Sequence, residues 1–333
     1  MQAIPLIHRS TLVPAIAILD EIGAPTTRLL SQQRLPSLDY PASTYVPLAA
    51  TLAFTHNAAQ AQGLWGLGFD IAERVTIQRA SRWGPRAATA VTLRHAIQTM
   101  SDWIRIDMPE IRIGLDTTGQ HQWFWRSHEP DRRSWPGYYM GEQYMLGLMV
   151  QLIRMAEGPN WYPSRLKIEA AASDWAFKRP EFAREASIEF GAPRTAIELP
   201  VGSLDRRMPT MRTDSDPKIV RDTGERPALD LQGSLRQVLK SVACERKLTL
   251  AMGAELLRSS ERSLQRSLAD AGTSWREITD RVHLETTLDL MDDPAYSLAD
   301  IASILGYSQY PHFCRAFQRW TRETPSAYRK RLI

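Results

Sequence analysis

The stretch S-L-A-D-I-A-S-I-L-G-Y-S-Q-Y-P-H-F-C-R-A-F-Q-R, from Ser297 to Arg319, decides how the C-terminal third of the chain is read. Ser297 is a good helix cap, and Asp300 stands three residues on, where a carboxylate complements the exposed amides of a first turn. Leu298, Ile301, Ala302 and Leu305 then recur at helical spacing and give one apolar face. Gly306 ends that helix, because a left-handed residue after the last turn costs glycine least. Ser308 is the expected cap of a second helix, with Phe313 and Phe317 on its apolar face and Arg315 and Arg319 elsewhere. Two short helices, a tight turn containing glycine and a basic second helix describe a helix-turn-helix.

The pattern occurs twice. In L-A-M-G-A-E-L-L-R-S-S-E-R-S-L-Q-R-S-L, from Leu250 to Leu268, Ala254, Leu257 and Ser260 stand at one constant offset from Ala302, Leu305 and Ser308. Leu264, Arg266 and Leu268 stand one residue further from Phe313, Arg315 and Phe317, so the second copy carries an extra residue in its turn or second helix. A supersecondary unit repeated with the same punctuation is hard to obtain by chance. Between the copies Ser274 and Glu277 form a capping box, and Trp275, Ile278 and Val282 continue one face until Asp292-Asp293-Pro294. About eighteen helical residues span roughly 27 Å, which, with the width of the flanking units, suits two readers on major-groove faces about 34 Å apart.

These motifs carry a resemblance. Leu248–Ile333 resembles the double helix-turn-helix of AraC-type transcriptional regulators in S-E-R-S-L-Q-R (Ser260–Arg266), D-I-A-S-I-L-G-Y-S (Asp300–Ser308), H-F-C-R-A-F (His312–Phe317) and T-P-S-A-Y-R (Thr324–Arg329). The resemblance implies base-reading residues at Arg262, Gln265 and Arg266 in the first unit and at Gln309, Tyr310 and His312 in the second. Arg315 is expected at phosphate or within the unit's own packing. Arg258 joins Arg262 and Arg266 at i, i+4 and i+8 on one helical stripe, an electrostatic footprint suited to DNA. Pro311 departs from the family pattern, and fits only if its helix starts near Gln309.

The formal net charge of +4 is too mild to argue for nucleic acid by itself. Its placement matters more, since the bases gather on the two reader helices and the tail while the connecting helix is rich in acids. Cys244 and Cys314 match no zinc or redox spacing, and a reducing cytoplasm is the expected compartment. The apolar run Leu12–Leu19 is short, with Asp20-Glu21 directly after it, and reads as neither a signal peptide nor a membrane span.

Residues 1–204 read as an α+β domain. A helix is expected over Thr92–Ile104, and a hairpin from the alternation of Ile111, Ile113 and Leu115 and of His121, Trp123 and Trp125 across D-T-T-G. Tyr138–Glu157 reads as an apolar helix stopped by Gly158-Pro159. Strands follow at Leu166–Ile168, Ala186–Phe190 and Thr195–Leu199, the last two joined across Gly191-Ala192-Pro193. Residues 205–230, thin in apolar residues, are the expected linker, and 231–333 the DNA-binding domain. W-G-P-R-A-A-T-A-V-T-L-R-H-A-I and I-E-F-G-A-P-R-T-A-I-E-L-P-V-G-S-L-D resemble the arabinose-binding-type sensory domain of one branch of these regulators. That resemblance implies a domain that binds an effector, dimerises, or does both.

The expected architecture is therefore an α+β N-terminal sensory domain followed by an all-α C-terminal domain of two helix-turn-helix units joined by a connecting helix. The expected function is sequence-specific regulation of transcription on a double-stranded DNA operator, with a small organic effector. Trp123, Trp125, Trp135 and Tyr138 are the candidate effector-binding residues, as aromatics beside polar groups. A homodimer through the Met-rich helix Met140–Met155 and a contact with RNA polymerase are the further partners considered. The alternative is an effector-independent architectural or partner-bridging DNA binder. No G-x-x-x-x-G-K-S/T, G-x-G-x-x-G after a strand, H-E-x-x-H or G-x-S-x-G occurs, so no catalytic residue, metal or cofactor is expected.

Overall fold

Helices and strands follow the sequence pattern closely in the computed structural model, which describes residues 3–37, 45–128, 130–175, 179–209, 226–257 and 259–332. The chain runs β1 (Leu6–His8), α1 (Val13–Glu21), α2 (Thr26–Gln32), β2 (Tyr45–Pro47), α3 (Leu48–Gln62), α4 (Leu67–Arg74), α5 (Trp83–Ala88) and α6 (Leu93–Asp107). It continues through β3 (Arg112–Thr118), β4 (His121–Ser127), α7 (Tyr138–Glu157), β5 (Arg165–Ile168), β6 (Ser187–Phe190) and β7 (Thr195–Leu199). The C-terminal part is all helical: α8 (Leu231–Val242), α9 (Leu250–Leu256), α10 (Glu261–Asp270), α11 (Trp275–Met291), α12 (Leu298–Ile304), α13 (Tyr310–Thr321) and α14 (Pro325–Leu332). The α+β region followed by an all-α region is the order expected from the sequence.

Two compact units form. One comprises 7–29 and 48–226, the other 1–6, 30–47 and 227–333. The division differs from a single boundary after residue 204, because two N-terminal segments belong with the C-terminal helices. Residues 206–208, expected in the linker, still pair with the first unit: Thr92 bridges Arg207, and the Met208 amide donates to the Val91 carbonyl at 2.9 Å.

In the first unit α7 is the central helix. Met140, Met145, Leu146, Leu148, Met149, Leu152 and Ile153 are all buried in its own unit, so these residues of the Met-rich helix are core. It crosses α4 closely because glycines stand at the contact. A Cβ at Gly68 would lie 2.2 Å from the Met140 carbonyl oxygen, and one at Gly147 2.5 Å from the Ala72 Cβ. A five-stranded sheet, in the order β3-β4-β7-β5-β6, completes the unit. All neighbours are antiparallel except β5 and β6. Strand β7 is buried at Thr195, Ala196, Ile197 and Leu199, with β4 on one side of it and β5 on the other. The turn at Gly191 does not make β6 and β7 a hairpin, since β5 lies between them.

The second unit is strung along α11. At its start Ile278 and Val282 pack with Leu264 and Leu268 of α10 and with Leu235, Val238, Leu239 and Val242 of α8. Ile4, Leu6 and Tyr45 complete that core. At the other end Leu290 and Met291 pack with Ile301, Ala302 and Leu305 of α12 and Phe313 and Phe317 of α13.

Candidate nucleic-acid interface

Each helix-turn-helix is built by its caps. Ser260 caps α10, accepting from the Ser263 amide at 3.1 Å. Ser297 caps α12 in a reciprocal capping box: the Asp300 amide donates to its hydroxyl at 3.1 Å, and its own amide donates to the Asp300 carboxylate at 2.9 Å. Hydrogen bonding of the Asp300 carboxylate to the Ser297 side chain and to the Ser297 amide holds that carboxyl below its ordinary range. Ser274 and Glu277 form the same box at the start of α11. One close contact fixes α9 in the first helix-turn-helix, where a Cβ on Gly253 would lie 2.4 Å from the Trp275 ring.

The turns of the two copies begin alike. The Ser259 amide donates to the Ala254 carbonyl at 2.9 Å, and the Tyr307 amide to the Ala302 carbonyl at 3.0 Å. Gly306 takes φ 78°, as the glycine stop requires. The extra residue of the second copy comes after that bond. Ser308 is consequently not the cap of α13. Gln309 occupies that position, makes no side-chain capping bond, and leaves Pro311 in the first turn, where a missing amide costs little.

This register sets what each reader helix presents. On α10, Leu264 and Leu268 are fully buried, while Arg262, Gln265 and Arg266 are exposed on the opposite side. None of those three has a hydrogen-bond or ion-pair partner among the described residues. Counted from their caps, Arg262, Gln265 and Arg266 correspond to Pro311, Cys314 and Arg315 on α13. Arg315 and His312 are exposed, as is Gln309 at the cap. Tyr310 is exposed as well, with its ring 6.0 Å from that of Phe313, and partial burial followed by hydrogen bonding to Cys314 raises its phenol pKa. Arg258 lies outside the described residues.

Other cations of this unit are tied down. Arg319 donates to both Asp280 oxygens at 2.9 and 3.0 Å, Lys240 lies 2.8 Å from Asp289, and Arg236 pairs with Glu285. Arg329 donates to the Met291 and Asp293 carbonyls at 3.1 and 3.2 Å, fixing α14 to the end of α11. The carboxylates of α11 thus neutralise structural bases and leave the arginines of α10 uncommitted. Arg281 is a further exposed cation without a partner among the described residues. Spacing did not flag it because it lies on the connecting helix.

The four aromatic candidates of the first unit do not converge. Trp123 and Trp125 share one face of β4, beneath Lys167 at 4.7 Å and Arg194 at 4.5 Å respectively. The cavity they border with Asp116, Thr118 and Pro193 measures about 70 Å³, far below the roughly 300–1,000 Å³ of organic-ligand sites. Tyr138 instead meets Arg126 at 3.1 Å and donates to Glu169. Arg126 alternates with Trp125 along the strand and so lies on the other face. Trp135 is half-buried at the start of α7, with Arg132 stacked 4.6 Å from its ring centre. Among the described residues no group of His, Cys, Asp and Glu is arranged to hold a metal ion, and no helix is long and apolar enough to cross a membrane.

Comparison with known proteins agrees with this geometry. Residues 254–331 match the helix-turn-helix domain family. The HTH-type transcriptional regulator VqsM of Pseudomonas aeruginosa is 36% identical over 81 residues, 24% of this chain and 25% of that protein. The chain thus matches about a quarter of that relative's length. The HTH-type transcriptional regulator VirS of Mycobacterium tuberculosis is 21% identical over 275 residues, 75% of this chain and 77% of that one. The crystal structure of transcriptional regulator CdpR from Pseudomonas aeruginosa aligns over 92% of this chain and 96% of its own, with 20% identity and a TM-score of 0.33. Residues 23–208, more than half of the chain, match the arabinose-binding domain of AraC transcription regulators, N-terminal. The chain belongs to the AraC family of transcription regulators.

Proposed function

We propose that this protein is a sequence-specific regulator of transcription that reads double-stranded DNA mainly through α10, under the control of a small molecule bound by its N-terminal unit. The observation that carries the DNA reading is the set Arg262, Gln265 and Arg266, exposed together on one helix with no partner among the described residues. A recognition helix laid in the major groove presents such side chains to base edges, arginine to guanine and glutamine to adenine as bidentate pairs. Helix α13, with Pro311 and Cys314 at the corresponding positions, has less to offer bases. Arg315 and His312 there suit phosphate contacts and orientation of the unit. The effector reading rests on the arabinose-binding-type match over residues 23–208. The sugar in that name belongs to the family.

The test begins by selecting an operator from random duplexes with the full chain. Arg262→Ala and Arg266→Ala are each expected to cost about 1–3 kcal/mol on that operator, and much less on scrambled DNA. Equal losses on both would make these arginines phosphate holders and defeat the assignment of base reading to α10.

A further inference from the structure

Helix α1 carries an unusual outward face. Ala15, Ile16, Ile18 and Leu19 are buried, as an amphipathic helix requires, yet Val13 and Ala17 on the opposite stripe are apolar and exposed, Val13 at 47%. That stripe ends in Glu21, and with Pro14 it forms one wall of a cavity of about 410 Å³. Val75, after α4, supplies apolar surface to the same cavity. The volume falls within the range of organic-ligand sites, and all the lining belongs to one unit.

The polar lining is specific in charge. Arg74 and Glu21 pair with each other, which neutralises both. Arg79 lines the cavity, is exposed, and has no side-chain partner among the described residues. Ser10 adds a hydroxyl, held at 2.7 Å from the Nδ1 atom of His8. The cavity therefore offers an apolar wall, one uncompensated guanidinium and one hydroxyl. The one carboxylate in its lining is already paired with Arg74, so a ligand ammonium would find no uncommitted anion there.

We propose that this cavity is the ligand site of the N-terminal unit and that it takes an apolar monocarboxylate. The aliphatic body lies along Val13, Pro14, Ala17 and Val75, and the carboxylate on Arg79, a charge-assisted pairing suited to the guanidinium fork. The inference rests on the effector reading above and gives that effector a chemical class.

The full-length protein is titrated calorimetrically with octanoate, and with 1-octanol, octylamine and leucine as controls for the anion and for a zwitterion. Octanoate is expected to bind and to raise the melting temperature as its concentration passes Kd, with the three controls at least about tenfold weaker. Arg79→Glu should weaken octanoate at least about tenfold, and Ala17→Trp, which fills the cavity, should abolish binding, both with unchanged circular dichroism. No binding of octanoate, or equal binding by folded Arg79→Glu and Ala17→Trp proteins, would overturn the proposal without touching the assignment of base reading to α10. Operator affinity measured with and without octanoate separates the two claims. Site-specific binding that leaves operator affinity unchanged upholds the site and removes its sensing role.

Discussion

Tyr45→Ala should weaken the DNA-reading unit, although residue 45 lies far from it in sequence. The tyrosine is fully buried in a core made with Leu235, Val238, Leu239 and Val242, and Ile4 and Leu6 pack beside it. The same segments are fastened by polar contacts: the Ile4 amide donates to the Ser234 hydroxyl at 2.9 Å, the Ser37 amide to Glu245 at 2.7 Å, Arg246 to the Ser31 hydroxyl at 2.9 Å, and Arg34 pairs with Glu255 on α9. Truncating a large buried aromatic side chain costs about 3–5 kcal/mol, through lost burial and the cavity left behind. At 1.4 kcal/mol per factor of ten, amides of α8 and the first half of α11 should exchange roughly 10²- to 4 × 10³-fold faster. Hydrogen exchange resolved by segment is the assay, with amides of α7 as the internal reference. Unchanged protection of α8 would mean that these N-terminal residues do not belong to the reading unit's core. By the same reasoning a fragment beginning at Leu231 lacks part of its core and should melt lower than the unit in the full chain, whatever DNA affinity it retains.

Other consequences are measurable. Single-base substitution across a selected operator should show larger penalties, about 1–3 kcal/mol each, under the half contacted by α10; equal penalties in both halves would contradict the contrast between Arg262 and Pro311. Arg319→Ala removes a half-exposed ion pair with Asp280, and should change stability by no more than about 1 kcal/mol, whereas Arg315→Ala should lower the salt dependence of DNA binding by about one contact. Burial, followed by the charges of Arg126 and Arg132, holds the His128 imidazole well below its ordinary 6.5. The unfolded chain therefore takes up a proton that the folded chain refuses, so this contribution is complete above about 6.5 and is lost as pH falls below it, by up to about 1.4 kcal/mol per pH unit. Thermal melts of wild type and His128→Asn should diverge over that window, and parallel curves would show that His128 is not the group responsible.

Local chemistry made the C-terminal region legible in the sequence. Ser260, Ser274 and Ser297 cap the helices they precede, Gly306 stops one, and Leu264, Leu268, Phe313 and Phe317 fill the cores their spacing assigns them. Caps and helical periodicity act over a few residues, so they can be read without knowing the fold. The start of α13 is less legible, because Ser308 and Gln309 are both compatible with the boundary and Gln309 takes the cap position. In the N-terminal unit the element positions were readable, but not the insertion of β5 between β6 and β7, because strand pairing is decided by which buried faces meet across the fold. The docking of Ile4, Leu6 and Tyr45 on α8 was equally invisible, since an apolar residue in a short strand does not name its distant partner. Tertiary structure also decided which cations are uncommitted: Arg319 and Arg262 are alike as letters, and differ because Asp280 faces only the first.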